Sequence, residues 1–266
     1  MSQTQNQVLG AGRVYFNRFP DPAVKLEGTG ERYLGNTPEF NLAIEIEKIE
    51  HFNSDDGIRT KDRTAVTAVN RTGSISCDNI SMDNVALFFM GEVKKVTQTA
   101  TAVVGEKIPA AKLAKDRYYQ LGQTAANPPG VRDVTQVTIK SDESSGATTY
   151  TAGTDYVLDA KRGRFHIPST SSIDVTKGLA IDYTPTANTR DRVISSGQRI
   201  EGSLRFEARN GMGENKDYYM PYVSLTANGD YALKGEDWQV MSFNLEILKL
   251  NDNTESIYVD GVAYTG

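Results

Sequence analysis

The chain of 266 residues is 38% hydrophobic and 9% aromatic, with 29 basic side chains against 34 acidic ones. That is enough apolar material for one large all-β domain or two compact ones, and too much for a disordered acidic tail. A net charge of −5 gives no general attraction to DNA phosphates, runs as short as Val85 to Met90 cannot span a bilayer, and the single Cys77 excludes a disulfide framework or a multi-cysteine zinc site.

The opening residues Met1 to Gln7 have neither the basic nor the apolar region of a secretory signal, so synthesis in the cytoplasm is expected. From Phe40 to Lys48 large apolar side chains recur at every second residue, which in a strand sends Phe40, Leu42, Ile44 and Ile46 toward the core and Asn41, Ala43, Glu45 and Glu47 the other way. The stretch His51 to Thr64 is too long and too charged for a tight turn, so it reads as an extended hairpin tip before the β-rich run Ala65 to Cys77. A helix is expected after Ile80, with Ser81 as N-cap, Asp83 in the first turn, and an apolar face of Val85, Leu87, Phe88 and Met90 before Gly91.

From Val96 to Thr189 Gly, Thr and Ser become dense and Asn127 to Gly130 is a strong breaker. Short strands at Val134 to Ile139, Thr148 to Thr151, Tyr156 to Leu158, Arg164 to Ile167 and Leu179 to Tyr183, separated by regular turn signals, give a sandwich signature. Beyond this block, Ile200, Gly202, Leu204, Phe206 and Ala208 point inward with Glu201, Ser203, Arg205 and Glu207 outward. Met241, Phe243, Leu245 and Ile247 then point inward with Ser242, Asn244 and Glu246 outward. The expected organisation is an all-β scaffold of residues 1–95 and 190–266, interrupted by an inserted outer β domain of residues 96–189.

Few residues suggest chemistry. The two histidines, His51 and His166, lie near no nucleophile pattern, and Gly28 to Tyr33 lacks the third glycine of a dinucleotide fingerprint. Asn53 to Gly57 gathers oxygen ligands without EF-hand spacing, and Cys77 reads as a small buried hydrophobe. Glu45 and Glu47, on one strand face, have a separation of roughly 6–7 Å that an inverting glycosidase pair could also show. A solvated acidic strand face explains them more simply, and a closed ring of such strands would line a pore with acid and small polar groups. No cofactor is expected.

The order of alternating strand, charged loop with Asn53-Ser54-Asp55-Asp56-Gly57, Thr/Val-rich strand and the segment Asp78 to Ala86 resembles the major tail tube proteins of long-tailed bacteriophages. The resemblance covers the first ninety residues and, more loosely, the last seventy, while the middle block, from Thr151 to Tyr156 through Gly163 to Phe165 and Ile181 to Tyr183, is similar to the immunoglobulin-like or small β-domains that decorate phage structural proteins. It implies a β-sandwich or split-barrel subunit with one flanking helix, non-enzymatic, assembled as stacked hexameric rings into a conduit for DNA in the virion tail. The partners implied are the chain itself, the tape measure protein, the tail terminator and distal tail proteins, and viral DNA passing without sequence-specific binding; no membrane is implied. On this reading Asn41, Glu45, Glu47, Ser242, Asn244 and Glu246 face the lumen, and the loop residues Asn53, Asp55, Asp56, Arg59, Lys61, Asp62 and Arg63 stack rings. The alternatives are a distal-tail or baseplate ring protein and, in another class, a carbohydrate-binding or glycosidase-like β protein.

Overall fold

A computed structural model describes residues 7–20, 29–55 and 57–261. The chain divides into two units, residues 1–94 with 192–266, and residues 95–191.

Unit one begins with β1 (Gly12–Arg18), β2 (Arg32–Tyr33), β3 (Glu39–Asn53), β4 (Thr60–Cys77) and the helix α1 (Met82–Phe88). The chain leaves along β5 (Glu92–Gln98). Unit two contains β6 (Val103–Ile108), a 3-10 turn, β7 (Arg117–Gln120), β8 (Val134–Ser141), β9 (Thr149–Tyr150), β10 (Val157–Asp159), β11 (Arg164–Ile167) and β12 (Leu179–Pro185). Return is along β13 (Asn188–Ile194), which pairs with β5, followed by β14 (Ile200–Ala208), β15 (Lys216–Ala227), β16 (Met241–Ile247) and β17 (Tyr258–Gly261). The protein is therefore all-β with one α-helix among the described residues.

In unit one the strands form one antiparallel sheet, ordered β2-β1-β14-β15-β16-β4-β3, with β17 also on β15. Its apolar face carries Val14, Phe16, Ile75, Leu204, Val223, Leu225, Phe243 and Leu245, all buried. The sheet is rolled rather than flat. Four strand spacings separate β14 from β3, roughly 19 Å in a flat sheet, yet the rings of Phe206 and Phe40 lie 5.6 Å apart. The seam is closed by the chain after β2, where the Leu34 N–H donates to the Val14 carbonyl and the Leu34 carbonyl accepts from Asn84 Nδ2 (2.7 Å). Pro221, which cannot donate to a ladder, sits where the β14–β15 register shifts between Gly202 and Leu204.

The helix covers the apolar face with Ala86 and Leu87, and Phe88 packs edge-on against Phe243 at 6.0 Å. Ser81 caps it by accepting from the Asn84 N–H. The left-handed residue at its C-terminus is Met90 (φ 51°), with the Gly91 N–H returning to the Ala86 carbonyl. Gly91 is required for a different reason, since a Cβ there would lie 2.2 Å from the Ile194 carbonyl oxygen.

Unit two is a sandwich of a four-stranded sheet, β6-β12-β8-β9, and a three-stranded sheet, β10-β11-β7. Both contribute to one core around Phe165, Ile167, Ile139, Leu179 and Ile181. Seven strands in two layers fit the expected sandwich, but the order is not that of an immunoglobulin domain, because the last strand, β12, lies between the first and third.

Candidate assembly interface

The largest departure from expectation is β3. Alternation does put Phe40, Leu42, Ile44 and Ile46 on the side of the apolar face, as their cross-strand partners Ile75, Gly73, Arg71 and Val69 show. Only Phe40 packs against the core, however; Ile44 is 61% exposed and Ile46 50%. Length accounts for Ile46 but not for Leu42 and Ile44, which lie opposite Gly73 and Arg71, still inside the β16 ladder, and have no layer over them among the described residues. The β16 ladder on β4 ends at Arg71, whereas β3 and β4 continue pairing out to Asn53 and Thr60. The outer part of the hairpin is a two-stranded arm of nine residue pairs' reach, roughly 30 Å, with no layer against either face among the described residues.

The charged stretch His51 to Thr64 is correspondingly not a long loop. Asn53 ends β3, while Lys61, Asp62 and Arg63 belong to β4, so only Asp55 and Arg59 of the proposed stacking residues occupy the tip; Asp56 lies outside the described residues. The charges are ladder pairs: Lys61 Nζ donates to Glu50, His51 Nδ1 lies 2.6 Å from Asp62, and Arg59 sits over the Phe52 ring. Two register shifts, after Glu47 and after His51, increase the arm's twist.

The arm presents two surfaces that call for a partner. One is its edge: β3 ends the sheet, so fifteen residues without Gly or Pro carry a row of N–H and C=O groups with no neighbouring strand among the described residues. The other is an apolar stripe of Leu42, Ile44, Ile46, Val66 and Val69, all exposed, running out from the core cluster.

The opposite face of the sheet is polar. Register places Asn41, Ser74 and Asn244 in one row, Ala43, Thr72 and Glu246 in the next, and Ser76 with Ser242 in a third. Glu45, opposite Asn70, and Glu47, opposite Ala68, continue that face onto the arm. All six residues expected to face a lumen therefore share one side of the sheet. Glu45 and Glu246 line an open groove of about 770 Å³ together with Asn70, Lys249 and Glu255. Farther along, the outward reading of β14 is corrected: Glu201 and Ser203 point away from the core yet are buried, and Glu201, 4% exposed, accepts a hydrogen bond from the Tyr222 hydroxyl at 2.9 Å. Burial and that carboxylate push the Tyr222 phenol up to about 12. Arg205 is held by Glu31 at 2.9 Å.

The remaining candidates are dispersed. His166 belongs to unit two, stacked at 4.5 Å on Tyr118. Cys77 is buried among Leu34, Asn79 and Asn84, where burial pushes its thiol up. Among the described residues no group of three or more His, Cys, Asp or Glu is placed to hold a metal ion, and no helix is long and apolar enough to cross a membrane.

Sequence reasoning passed over Trp238, which is 94% exposed in the connection between β15 and β16. It is the chain's one tryptophan, but nothing in Gly235-Glu236-Asp237-Trp238 marks the indole as uncovered.

A family model described as "Protein of unknown function UCP028589" matches residues 7–258. No curated protein matches the chain.

Proposed function

The chain belongs to the UCP028589 family, whose description assigns no activity, and we propose from the geometry that it is a structural subunit assembling with copies of itself, as the tail tube of a long-tailed phage does. The observation carrying this reading is the arm. A fifteen-residue edge strand beside an exposed apolar stripe is an aggregation hazard in a monomer and a joint in a closed ring. Pairing β3 with a neighbouring subunit extends the sheet from copy to copy, and packing of that neighbour over the face of the arm covers Ile44 and Ile46.

In that arrangement the polar face continues around the ring, and Glu45, Glu47 and Glu246 form acidic belts beside Asn41, Ser242 and Asn244. Such a lining repels DNA phosphates and lets the polymer slide without adhering. The virion tail, the tape measure, terminator and distal tail proteins as neighbours, and the absence of catalysis belong to the same proposal. Electron microscopy of the purified full chain tests it. Rings or tubes are the expected result, and monodisperse single subunits at all concentrations overturn it.

A further inference from the structure

Trp238 is displayed by an anchored loop. Tyr231 packs on Phe88 at 5.6 Å, its hydroxyl donates to Gln239 Oε1 at 3.1 Å, and Gln239 Nε2 donates to the Ala232 carbonyl at 3.2 Å. The residue beside this braced pair is the exposed indole. A large aromatic held out on a fixed loop is the usual form of an interface anchor, with little ordering cost left on binding.

Elsewhere on unit one, at the side of α1, is a recess of about 270 Å³ whose lining includes Phe16, Ala86 and Leu87 as apolar floor and Arg18 and Arg32 as walls. It is smaller than the ~300–1,000 Å³ of a small-molecule site. Arg18 donates to the Gly91 carbonyl at 2.7 Å and Arg32 to Asn84 Oδ1 at 2.8 Å, with Glu92 acting electrostatically on the first and Asp83 on the second. Burial lowers both guanidinium groups. An apolar floor between two partly desolvated cations suits an indole, which offers hydrophobic area and a negative ring face. Asp83 and Glu92 on the same lining can accept its N–H.

We propose that Trp238 of one subunit seats in this recess of the next copy, a contact that rests on the self-assembly reading above. Anchor and recess share no residue, so one copy can engage two neighbours, and the arrangement proposed is head-to-tail, propagating from copy to copy and closing into a ring when the rotation permits. It is a second joint, separate from the β3 edge.

The test uses the full chain. Because Trp238 is the single tryptophan, its emission shifts to the blue when the wild type assembles. Trp238→Ala weakens association by about thirty-fold, the loss of one hot-spot anchor, measured by sedimentation against concentration. Thr29→Phe, at the exposed rim of the recess, blocks the pocket without touching the anchor. Mixing the two variants restores one contact per pair, and the blue shift returns. Assembly of Trp238→Ala at wild-type concentrations overturns the inference and leaves the self-assembly reading standing. A blue shift that survives Thr29→Phe overturns the recess as its seat. A wild type that stays monomeric overturns both.

Discussion

Replacing Ile44 and Ile46 together with Thr keeps β-branched side chains on β3 while removing apolar surface from the arm. Fully burying an isoleucine is worth ~1.5–3 kcal/mol. With 61% and 50% of the two residues still exposed, roughly half of that value is left to be gained when a neighbour covers them. The pair therefore contributes ~2–3 kcal/mol to each subunit contact, and the double variant associates about 30- to 150-fold more weakly. Folding changes little, because neither residue belongs to the buried cluster, and the cost to the subunit is under ~1 kcal/mol, a melting shift of less than about 4 °C. Sedimentation velocity across a concentration series gives the first quantity and thermal unfolding at a concentration where both forms are monomeric gives the second. Unchanged association, or a melting temperature lower by about 10 °C or more, refutes the argument; the second result would mean that the stripe is core.

Glu45→Lys with Glu47→Lys leaves the subunit folded, and tubes carrying both substitutions retain duplex DNA at low salt and release it as salt rises, a contrast that filter retention reads directly; retention equal to wild type counts against an acidic lining. Asn84→Ala removes bonds to the Leu34 carbonyl, the Asn79 carbonyl and Arg32 and costs ~2–3 kcal/mol, seen as faster hydrogen exchange at the seam between β1 and β4. Gly91→Ala forces backbone apart from the Ile194 carbonyl and lowers the melting temperature, whereas Gly235→Ala, where a Cβ meets nothing within 4 Å, serves as the neutral control. In unit two the Asp155 carboxylate accepts from the Ser172 hydroxyl at 2.6 Å and the Thr151 N–H at 2.7 Å, which hold it below the usual carboxylate range. A depressed value in the fold means that this contribution is fully present above the ordinary Asp titration and is lost as pH falls through the folded value, so Asp155→Asn flattens the acid side of the stability profile.

Alternation locates β3, β14 and β16 and their sidedness, but not β1 and β15, which supply Val14, Phe16, Met220 and Val223 to the core. Asn41, Glu45, Glu47, Ser242, Asn244 and Glu246 share a face because each strand's period of two, with its apolar residues on the core side, fixes its sidedness locally. Whether a face is covered is not local. Leu42, Ile44 and Ile46 alternate as a core strand does, yet Leu42 and Ile44 are uncovered beside the β16 ladder and Ile46 lies beyond its end at Arg71. The stretch around Lys61 and Asp62 looked like loop because charge dominates its composition, although its charges are partners for Glu50 and His51 across the hairpin. Gly105 (φ 69°) sits in β6 where its register on β12 shifts, and β7 follows Asp116 at φ 57°, so neither strand shows a clean alternation. The start of the helix was legible, since Ser81 and Asp83 act through neighbours one turn away, but its end was not: it stops at Phe88, and Met90, expected on its apolar face, is left-handed beyond it. Trp238 was not legible, because exposure of a large apolar residue depends on what fails to pack against it.

The pairing of β5 with β13 sets the cost of the long interruption in unit one. Closing a flexible chain of nearly a hundred residues between α1 and β14 would carry an entropic penalty rising with the logarithm of its length. Here the outgoing and returning strands lie one strand spacing apart, roughly 5 Å, so the rolled sheet meets the equivalent of a short hairpin, whatever lies beyond it. The position is thus a socket. A module whose ends emerge side by side can be exchanged at the ribbon while the sheet that carries the arm keeps its own register.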